Sequence, residues 1–504
     1  MDGGTGPLRT GVEATLWPRV ERYLDAHEAA GVAVAVVCDD EVVARGFGVR
    51  DAGSGAPVTP ETMFHLASVS KPFVATAIVG LATTSPGAGR PTVDLDAPIV
   101  DRVPELTLAD GREGEVTARG LLSHSSGLPD VSEYGWHDPQ LGDDALSDFA
   151  RSLSGFRLQA EPGSTFSYSN AGYELLGLLL SRVVGTTFEA AMRELVLDPL
   201  GMHASTFLRA EVPSRLAASP HVGMPLTVPD GAYPYTRRHA PSSTLHSNLV
   251  EMCRWVRALL GPPAGATPGG PAPLDAGLRD LMWRPVQPVG DPPWEEAVGL
   301  GWAVGRYGGH RALSHSGSDP GFGSQLVVLP ERRTGVVVLA NSNTVPTGYL
   351  ATAALDVALA EDGVPVASGS SPGDLGAGVA AMDALLPPVV GPVARALGTD
   401  GPDAAVATFH RLAAADPAEH DLDDEVFEDA VWGAVELHRT DLAWPLLRVW
   451  ADVRPHSSAA WTMTGWAHQV DGRPEQARTL LRRALELDPG NDDAALILGT
   501  LPPA

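Results

Sequence analysis

The sequence contains a serine and a lysine whose spacing suits nucleophilic chemistry, in the run Ser68-Val69-Ser70-Lys71. On a helix, positions i and i+3 share one face, so the amine of Lys71 can meet the hydroxyl of Ser68. A lysine in an apolar environment loses its proton more easily and can then take the proton of the serine. Pro72 fits the first turn of a helix and predicts a helix start near Ser68, where backbone N–H groups would stabilise an oxyanion.

The composition singles out the same lysine. The chain has 35 lysine and arginine residues in total, and Lys71 is the only lysine among them. Arginine stays protonated in proteins, whereas a buried lysine can become neutral and act as a base. The survival of one lysine at this position therefore indicates a base that removes the proton of Ser68.

A tyrosine and an asparagine occur together in the polar, turn-rich run FSYSNAGYELLG, as Tyr168 and Asn170. A tyrosine beside a lysine can relay a proton, and an asparagine amide can hold a substrate carbonyl. Taken alone, the pair is more typical of a buried tyrosine and a helix-capping asparagine.

A third group lies on the late predicted strand HRALSHSG, in His315-Ser316-Gly317-Ser318. The backbone N–H of Ser318 could supply an oxyanion donor opposite that of Ser68, and Gly317 would allow close approach of a ligand. His315 could donate a hydrogen bond to the substrate or assist proton transfer, although a structural histidine on a strand is the simpler alternative.

The helices and strands that must position these groups can also be predicted from the sequence. An early hairpin with an Asp-Asp turn and a late group of strands enclose several helices, which predicts an α+β domain whose sheet joins both ends of the segment. The predicted elements are a helix at 11–29, two strands between 32 and 51, helices at 68–83, 115–124 and 171–184, strands between 299 and 341, and a helix at 347–361.

The C-terminal part of the chain has a different composition. Residues 363–380 are rich in Gly, Ser and Pro and predict a flexible linker, and residues 381–504 are almost purely helical. Pairs such as Ala443 and Ala477, or Pro455 and Pro489, repeat with the period of a tetratricopeptide repeat. We therefore expect an all-α repeat-like domain for scaffolding or protein docking, with an ordinary helical bundle as the alternative. The linker also predicts that residues 1–362 fold without the C-terminal helical segment.

Together, the runs FHLASVSKPF, LLSHSSGL, FSYSNAGYELLGLLL and HSGSDPGF resemble the serine β-lactamase and penicillin-binding-protein superfamily. The order and spacing are similar to its class C-like branch, and the resemblance covers roughly residues 12–360. It implies that residues 1–362 form a β-lactamase-like serine hydrolase domain, in which an antiparallel sheet is flanked by helices and accompanied by a helical subdomain.

The resemblance also implies a role for each residue. Ser68 would be acylated, Lys71 and Tyr168 would share the proton transfer, and Asn170 would contact the substrate amide or ester. The N–H groups of Ser68 and Ser318 would form the oxyanion hole. With His315 and Gly317, these residues complete the predicted catalytic and substrate-binding set.

The third motif departs from the β-lactamase pattern, because His315 stands where β-lactamases usually carry a lysine. That lysine supplies a fixed positive charge for a substrate carboxylate, whereas histidine is largely neutral near pH 7. We therefore expect weak β-lactamase activity. Relatives with a histidine here include esterases, D-amino-acid peptidases and peptide-cyclising enzymes.

These features lead to one main functional interpretation and two alternatives. The main interpretation is a serine hydrolase that cleaves a small-molecule or peptide ester or amide through an acyl-serine on Ser68. The first alternative is a transacylase or peptide cyclase with the same acyl-enzyme, and the second is a non-catalytic scaffold that binds a protein partner through its helical repeats.

Charge and composition exclude other classes. The formal net charge of −27 disfavours binding to nucleic acid or to anionic membranes. No apolar run is long enough to span a bilayer and no signal peptide is visible, which predicts a cytoplasmic protein. No Cys/His spacing typical of zinc occurs, and we expect neither a metal nor a cofactor.

Overall fold

The computed structural model describes residues 6–84, 91–131, 133–262, 274–291, 295–360, 376–415 and 418–502. Its strands are β1 (Gly31–Cys38), β2 (Glu41–Asp51), β3 (Ala56–Pro57), β4 (Phe64–His65), β5 (His246–Ser247), β6 (Gln287–Asp291), β7 (Glu295–Val298), β8 (Ala303–Tyr307), β9 (His310–Asp319), β10 (Phe322–Leu329) and β11 (Thr334–Ala340). Its α-helices are α1 (Pro7–Gly11), α2 (Trp17–His27), α3 (Ser70–Thr83), α4 (Ala118–Leu122), α5 (Ala145–Ser152), α6 (Asn170–Val184), α7 (Phe188–Met192), α8 (Ala240–Ser243), α9 (Leu249–Leu260), α10 (Ala276–Met282), α11 (Thr347–Ala360), α12 (Ala377–Ala384), α13 (Val390–Asp400), α14 (Pro402–Ala413), α15 (Asp424–Glu436), α16 (Thr440–Val453), α17 (Ser458–Val470), α18 (Pro474–Leu487) and α19 (Asp492–Thr500).

An antiparallel sheet organises the first part of the chain. Within the described ranges its strand order is β3-β2-β1-β11-β10-β9-β8-β7-β6, and β4 pairs separately with β5. The first strand pairs with the last, with Val32 opposite Ala340, as the prediction that the sheet joins both ends requires. The predicted α+β fold class is confirmed.

Strand β1 lies near the centre of the sheet and is buried on both faces, because a hydrophobic core lies on each side of it. Ala33, Ala35 and Val37 face a core that contains α3, α6 and α9. Val32, Val34 and Val36 face a second core, built by α2, α11 and α12. Since successive side chains of a strand point to opposite faces, a continuous apolar run is what a strand between two helical layers needs.

The predicted strand from residue 299 begins later, at Ala303. Gly301 has a φ of +78°, and a Cβ atom there would lie 2.5 Å from the Cβ of Ala75 on α3. The chain therefore makes a close turn against α3 before it enters β8, and only glycine permits both the left-handed conformation and this approach.

The C-terminal region consists of antiparallel helix pairs, α13 with α14, α15 with α16 and α17 with α18, followed by α19. Most of the predicted linker at 363–380 lies outside the described residues. Its last four residues are helical instead, because α12 packs along α11 and places Met382 in the core of the first domain. The buried carboxylate of Asp356 on α11 accepts hydrogen bonds from the backbone N–H groups of Gly376 (2.7 Å) and Val379 (2.8 Å) and so holds the start of α12.

The helical region shares a hydrophobic core with the sheet domain. Trp136, Val222 and Met224 are buried among side chains of the C-terminal helices, such as Phe427 and Trp450. Removal of the helices would expose this apolar surface to water, so the independent folding of residues 1–362 stays a prediction that a truncated chain would test. Among the described residues, no single helix is long and apolar enough to cross a membrane, and Asn170–Val184 meets that criterion only jointly with Phe188–Leu197, across a bend of 77°.

Candidate active site

Ser68 lies in a single 3-10 turn, Ala67–Val69, that leads directly into α3. The preceding residue, Ala67, has a φ of +46°, a left-handed conformation that is unfavourable for a residue with a side chain. Strain of this kind persists where the surrounding structure imposes it, and it is common at reactive residues. The half-buried Ser68 hydroxyl thus faces a cleft at the start of a helix, close to the predicted start.

Lys71 is fully buried below Ser68. Its Nζ atom lies 2.8 Å from Ser68 Oγ, 2.6 Å from Asn170 Oδ1 and 3.0 Å from the carbonyl oxygen of Ser242. The amide oxygen and the carbonyl oxygen can only accept hydrogen bonds, whereas a hydroxyl can also donate. A neutral amine would give its two hydrogens to these two oxygens, and its lone pair would face the Ser68 hydroxyl.

The environment of Lys71 favours the neutral amine. Burial lowers the pKa of Lys71 from 10.5 to about 8, although the carboxylates of Glu174, Asp130 and Asp319 oppose this change. Glu174 is itself completely buried and lies 3.0 Å from Nδ1 of His239. Desolvation of the charged amine outweighs the attraction of the nearby carboxylates, so about one Lys71 in ten is neutral at pH 7.

Tyr168 approaches Ser68 from the other side, and its hydroxyl donates to Ser68 Oγ at 2.9 Å. One face of its ring is open to the cleft, while the other stacks on the buried imidazole of His124, with ring centroids 4.2 Å apart. Burial raises the pKa of Tyr168 above its ordinary value, and the bond to Ser68 only partly opposes this. The Tyr168 hydroxyl is therefore protonated at pH 7 and has a proton that it can donate.

Both ends of the Asn170 amide are engaged by protein groups. Its Oδ1 accepts from Lys71, and its Nδ2 donates to Asp130 Oδ2 at 2.7 Å and to the hydroxyl of Tyr134. The same carboxylate of Asp130 accepts from the backbone N–H groups of Asn170 (2.8 Å) and Ala171 (3.0 Å). This geometry favours a positioning role for Asn170, which orients Lys71, over the predicted contact with substrate.

His315, Gly317 and Ser318 lie on β9, beside Ser68. Strand β8 pairs with β9 only as far as Ser314, and in the described part of the chain no strand covers that edge of β9 further along. A Cβ atom on Gly317 would lie 2.9 Å from the backbone nitrogen of Ser68 and 2.5 Å from the carbonyl oxygen of Leu66. Gly317 thus permits close approach of the Ser68 turn, and it brings the two backbone segments of the predicted oxyanion hole together.

His315 carries no positive charge at neutral pH. Burial and the positive charge of Lys71 lower the pKa of His315 to about 3. Its Nδ1 lies 2.7 Å from the carbonyl oxygen of Ser316, so Nδ1 carries the proton and Nε2 is left as an acceptor. The position that holds a cation in β-lactamases is therefore neutral here, in agreement with the expectation from its residue type.

Asn343 links the oxyanion strand to the C-terminal helices. Its Nδ2 donates to Ser318 Oγ at 3.0 Å and to the carbonyl oxygen of Asp319 at 3.0 Å. A Cβ atom on Gly433, in α15, would lie 3.1 Å from Asn343 Oδ1. Helix α15 therefore packs directly on the residue that holds the Ser318 turn.

These groups border a cavity of ≈ 510 Å³, open to solvent. Its lining includes both polar and apolar side chains, and Ser68 is one of the polar ones. The cavity is lined by Ser68, His124, Phe166, Tyr168, Val289, Val298, Gly301, Trp302, Ala303, His315, Ser316, Gly317, Ser318 and Thr347. Such a volume accommodates a small acyl group or part of a peptide.

A comparison with protein families decides the classification. Residues 18–360 match the Beta-lactamase family. The chain belongs to the beta-lactamase family. Residues 458–501 match the Tetratricopeptide repeat family, which confirms a tetratricopeptide repeat at the C-terminal end.

The relatives of this beta-lactamase-family protein include a penicillin-binding protein and a hydrolase. Penicillin-binding protein 4 of Amycolatopsis lactamdurans is 29% identical over 330 residues, which are 64% of this chain and 84% of the relative. Unguisins hydrolase ungD of Aspergillus violaceofuscus is 28% identical over 337 residues, 62% of this chain. The match spans 58% of that hydrolase, less than two thirds of its length.

Solved structures show the same fold. The octameric penicillin-binding protein homologue from Pyrococcus abyssi has a TM-score of 0.59 at 25% identity, over 68% of this chain and 77% of its own. The D-amino acid amidase from Ochrobactrum anthropi SV3, complexed with L-phenylalanine amide, has a TM-score of 0.56 at 24% identity, over 71% of this chain and 99% of its own. The second likeness is evidence for the fold alone.

The structure also brings in residues that the sequence did not single out. His124 supports Tyr168, Asp130 and Tyr134 hold Asn170, and Asn343 holds Ser318. His124 lies in the run LLSHSSGL, which carried part of the resemblance, and Asp130 follows shortly after it. For His124 and Asp130, a position in or just after a family motif was the available signal in the sequence. The contacts of Tyr134 and Asn343 arise only when the chain folds.

Proposed function

We propose that this protein is a serine hydrolase that cleaves esters or amides through an acyl-enzyme on Ser68. The observation that carries the proposal is the set of three contacts made by Lys71 Nζ, with Ser68 Oγ, Asn170 Oδ1 and the carbonyl oxygen of Ser242. A buried amine that faces two obligatory acceptors and one hydroxyl is arranged to accept the hydroxyl proton.

The reaction begins when the proton of Ser68 Oγ passes to the neutral Nζ of Lys71. The oxygen attacks the substrate carbonyl carbon, and the oxyanion that forms accepts hydrogen bonds from the N–H groups of Ser68 and Ser318. Tyr168 donates its proton to the leaving group and is reprotonated by Lys71. Water then attacks the acyl-serine, with Lys71 again accepting a proton, and releases the acid and free Ser68.

The proposed substrate carries an apolar acyl group and no carboxylate near the reacting bond. Phe166, Val289 and Trp302 offer apolar surface, and His315 supplies no positive charge to pair with a carboxylate. The carboxylates of Asp130 and Asp319 lie close enough to oppose the fall in the Lys71 pKa, and they would repel an anionic substrate. The name of the relative unguisins hydrolase supports hydrolysis as the reaction type.

The test combines covalent labelling with product analysis. Intact mass spectrometry after exposure to a fluorophosphonate probe should show one adduct per chain, located on Ser68 by peptide mapping. Ser68→Ala should remove the adduct and reduce the turnover of small acyl esters by roughly a thousandfold or more. Ser70→Ala is the matched control, because Ser70 is buried and is not among the residues that line the cavity, and its Oγ accepts from the N–H of Leu245 at 2.9 Å.

The outcomes separate the competing functions. Label on Ser68 with release of free acid supports the hydrolase, and label on Ser68 with transfer to an added amine supports the transacylase or cyclase. If the correctly folded chain neither reacts with the probe nor turns over any ester, the non-catalytic scaffold is the remaining interpretation. Pull-down with the tetratricopeptide region intact tests the protein partner that the repeats suggest.

A further inference from the structure

Three potential metal ligands meet where the C-terminal helices touch the sheet domain. Glu133 Oε1 lies 3.2 Å from Nε2 of His438 and 3.6 Å from Nδ1 of His137. The three ligand atoms all lie within 4.8 Å of one another. Two of the residues belong to the sheet domain, and the third comes from the turn between α15 and α16, so the group exists only when the two regions are packed together.

The turn that carries His438 is built to present it. Helix α15 ends at Glu436, and His438 adopts a left-handed conformation with a φ of +56°. A left-handed residue just beyond a helix end reverses the chain and satisfies the last helical carbonyl groups. The N–H of His438 bonds to the carbonyl oxygen of Val435 at 2.9 Å, which leaves the imidazole free to extend toward Glu133.

The other two residues belong to the segment that supports the catalytic groups, which we call the Tyr134 loop (residues 129–131 and 133–138). Tyr134 stacks on Trp136 with ring centroids 5.5 Å apart, and Trp136 is buried in the core of the C-terminal helices. The Tyr134 hydroxyl also contacts the Asn170 amide that orients Lys71. A bond between His438 and this loop therefore acts next to the site.

We propose that Glu133, His137 and His438 bind one Zn²⁺ ion across this contact. Ligands about 2.0 Å from a tetrahedral zinc ion are about 3.3 Å apart, close to the two measured separations. Two imidazoles and one carboxylate are a common protein ligand set for zinc, with water in the fourth position. The large negative net charge of the chain also favours a cation.

Binding requires a small rearrangement of exposed side chains. The rings of His137 and His438 are now stacked, with centroids 3.6 Å apart and planes inclined by 14°. An ion must lie near the plane of each ring that binds it, so the rings have to rotate away from parallel. Glu133 and His137 are exposed and His438 is half-buried, and rotation of such side chains meets little resistance.

The ion would fasten the Tyr134 loop to the C-terminal helices. A ligand that binds only the folded arrangement stabilises it in proportion to its concentration above the dissociation constant. The proposal does not depend on the reaction catalysed at Ser68, and it is tested by binding alone.

The experiment uses the full chain without an affinity tag, freed of metal by a chelator and then dialysed. Titration with Zn²⁺ in a calorimeter should show one ion per chain, and the melting temperature should rise with added Zn²⁺. Replacement of Zn²⁺ by Co²⁺ should give the visible absorption of a tetrahedral site. His438→Ala should weaken binding of either ion at least tenfold and abolish the rise in melting temperature.

Two further variants keep the test decisive. Glu133→Gln preserves shape and removes a charged ligand, and it should also weaken binding at least tenfold if His438→Ala does not fold. His203→Ala is the matched control, since His203 is an exposed histidine beside Asp198 in a different part of the molecule. Binding that is absent from the wild-type chain, or that is equal in wild type and in the His438 and Glu133 variants, would overturn the proposal.

Discussion

Replacement of Lys71 by arginine separates a catalytic base from a structural cation. Arginine keeps the positive charge and much of the length, but it does not give up its proton at accessible pH. An ion-pair lysine in this otherwise lysine-free chain would tolerate the change. A base that must accept the proton of Ser68 would not. We therefore expect the Lys71→Arg protein to fold and to lose acylation.

The structure gives the size of the effect. With a pKa of about 8, about one Lys71 in ten is neutral at pH 7, whereas at the ordinary value of 10.5 it would be about one in three thousand. Burial thus raises the concentration of the competent base by about 300-fold. The acylation rate should rise about tenfold for each pH unit below about 8 and level off above it, because only the deprotonated amine is active. Lys71→Arg should lose at least about a thousandfold at pH 7.

The assay is the second-order rate of fluorophosphonate labelling of Ser68, measured from about pH 6 to about pH 10. Tyr168→Phe is a useful comparison, because it removes a proton donor and leaves Lys71 in place. It should lower the rate without moving the midpoint of the pH profile. Near-normal labelling of Lys71→Arg, or a flat profile through pH 8, would refute the base assignment and leave Lys71 as electrostatic support.

Three other predictions concern specificity, domain organisation and stability. His315→Lys restores the cation of β-lactamases. It should lower the KM for an ester that bears a carboxylate at least tenfold relative to the KM for a neutral ester. If the ratio of these two KM values is the same in the variant and in the wild type, the role given to His315 is wrong. A chain that ends at residue 360 exposes Trp136, Val222 and Met224 and should aggregate or elute as a swollen species in size-exclusion chromatography, unlike the full chain. Since folding lowers the pKa of Lys71, the wild type should gain on the order of 3 kcal/mol relative to Lys71→Met as pH rises from about 8 to 10.5, measured by urea denaturation at both limits.

The sequence was informative where chemistry and local periodicity coincide. The S-x-x-K spacing placed Lys71 beneath Ser68 because a helix fixes that geometry within one turn. The apolar run of β1 and the late strands were recognisable from their composition, and the family resemblance implied an antiparallel sheet flanked by helices. The neutral state of His315 could also be anticipated from its residue type, before its surroundings were known.

Other features arise only from tertiary contacts. Asp130 and Tyr134 belong to an irregular loop without periodicity, and their contact with Asn170 depends on how that loop folds back. Glu133 and His438 are 305 residues apart, so no spacing rule for metal ligands brings them together. The linker composition correctly marked a change of architecture, but composition cannot show that Trp136 inserts its side chain among the helices beyond it.

We expect the C-terminal helices to affect the pKa of Lys71, because they help to keep water away from its amine. Lys71 has a lowered pKa because it is desolvated; Asn170 contacts it directly, and Asp130 and Tyr134 hold Asn170. Tyr134 in turn rests on Trp136, which the helical core holds. Trp136→Ala should therefore loosen the loop, admit water and move the midpoint of the acylation profile upward from about pH 8 toward 10.5, with a lower rate at pH 7. Trp461→Ala, in the terminal repeat, is the matched control and should leave the midpoint unchanged. An unmoved midpoint in a folded Trp136→Ala protein would mean that the helices support the fold without tuning the base.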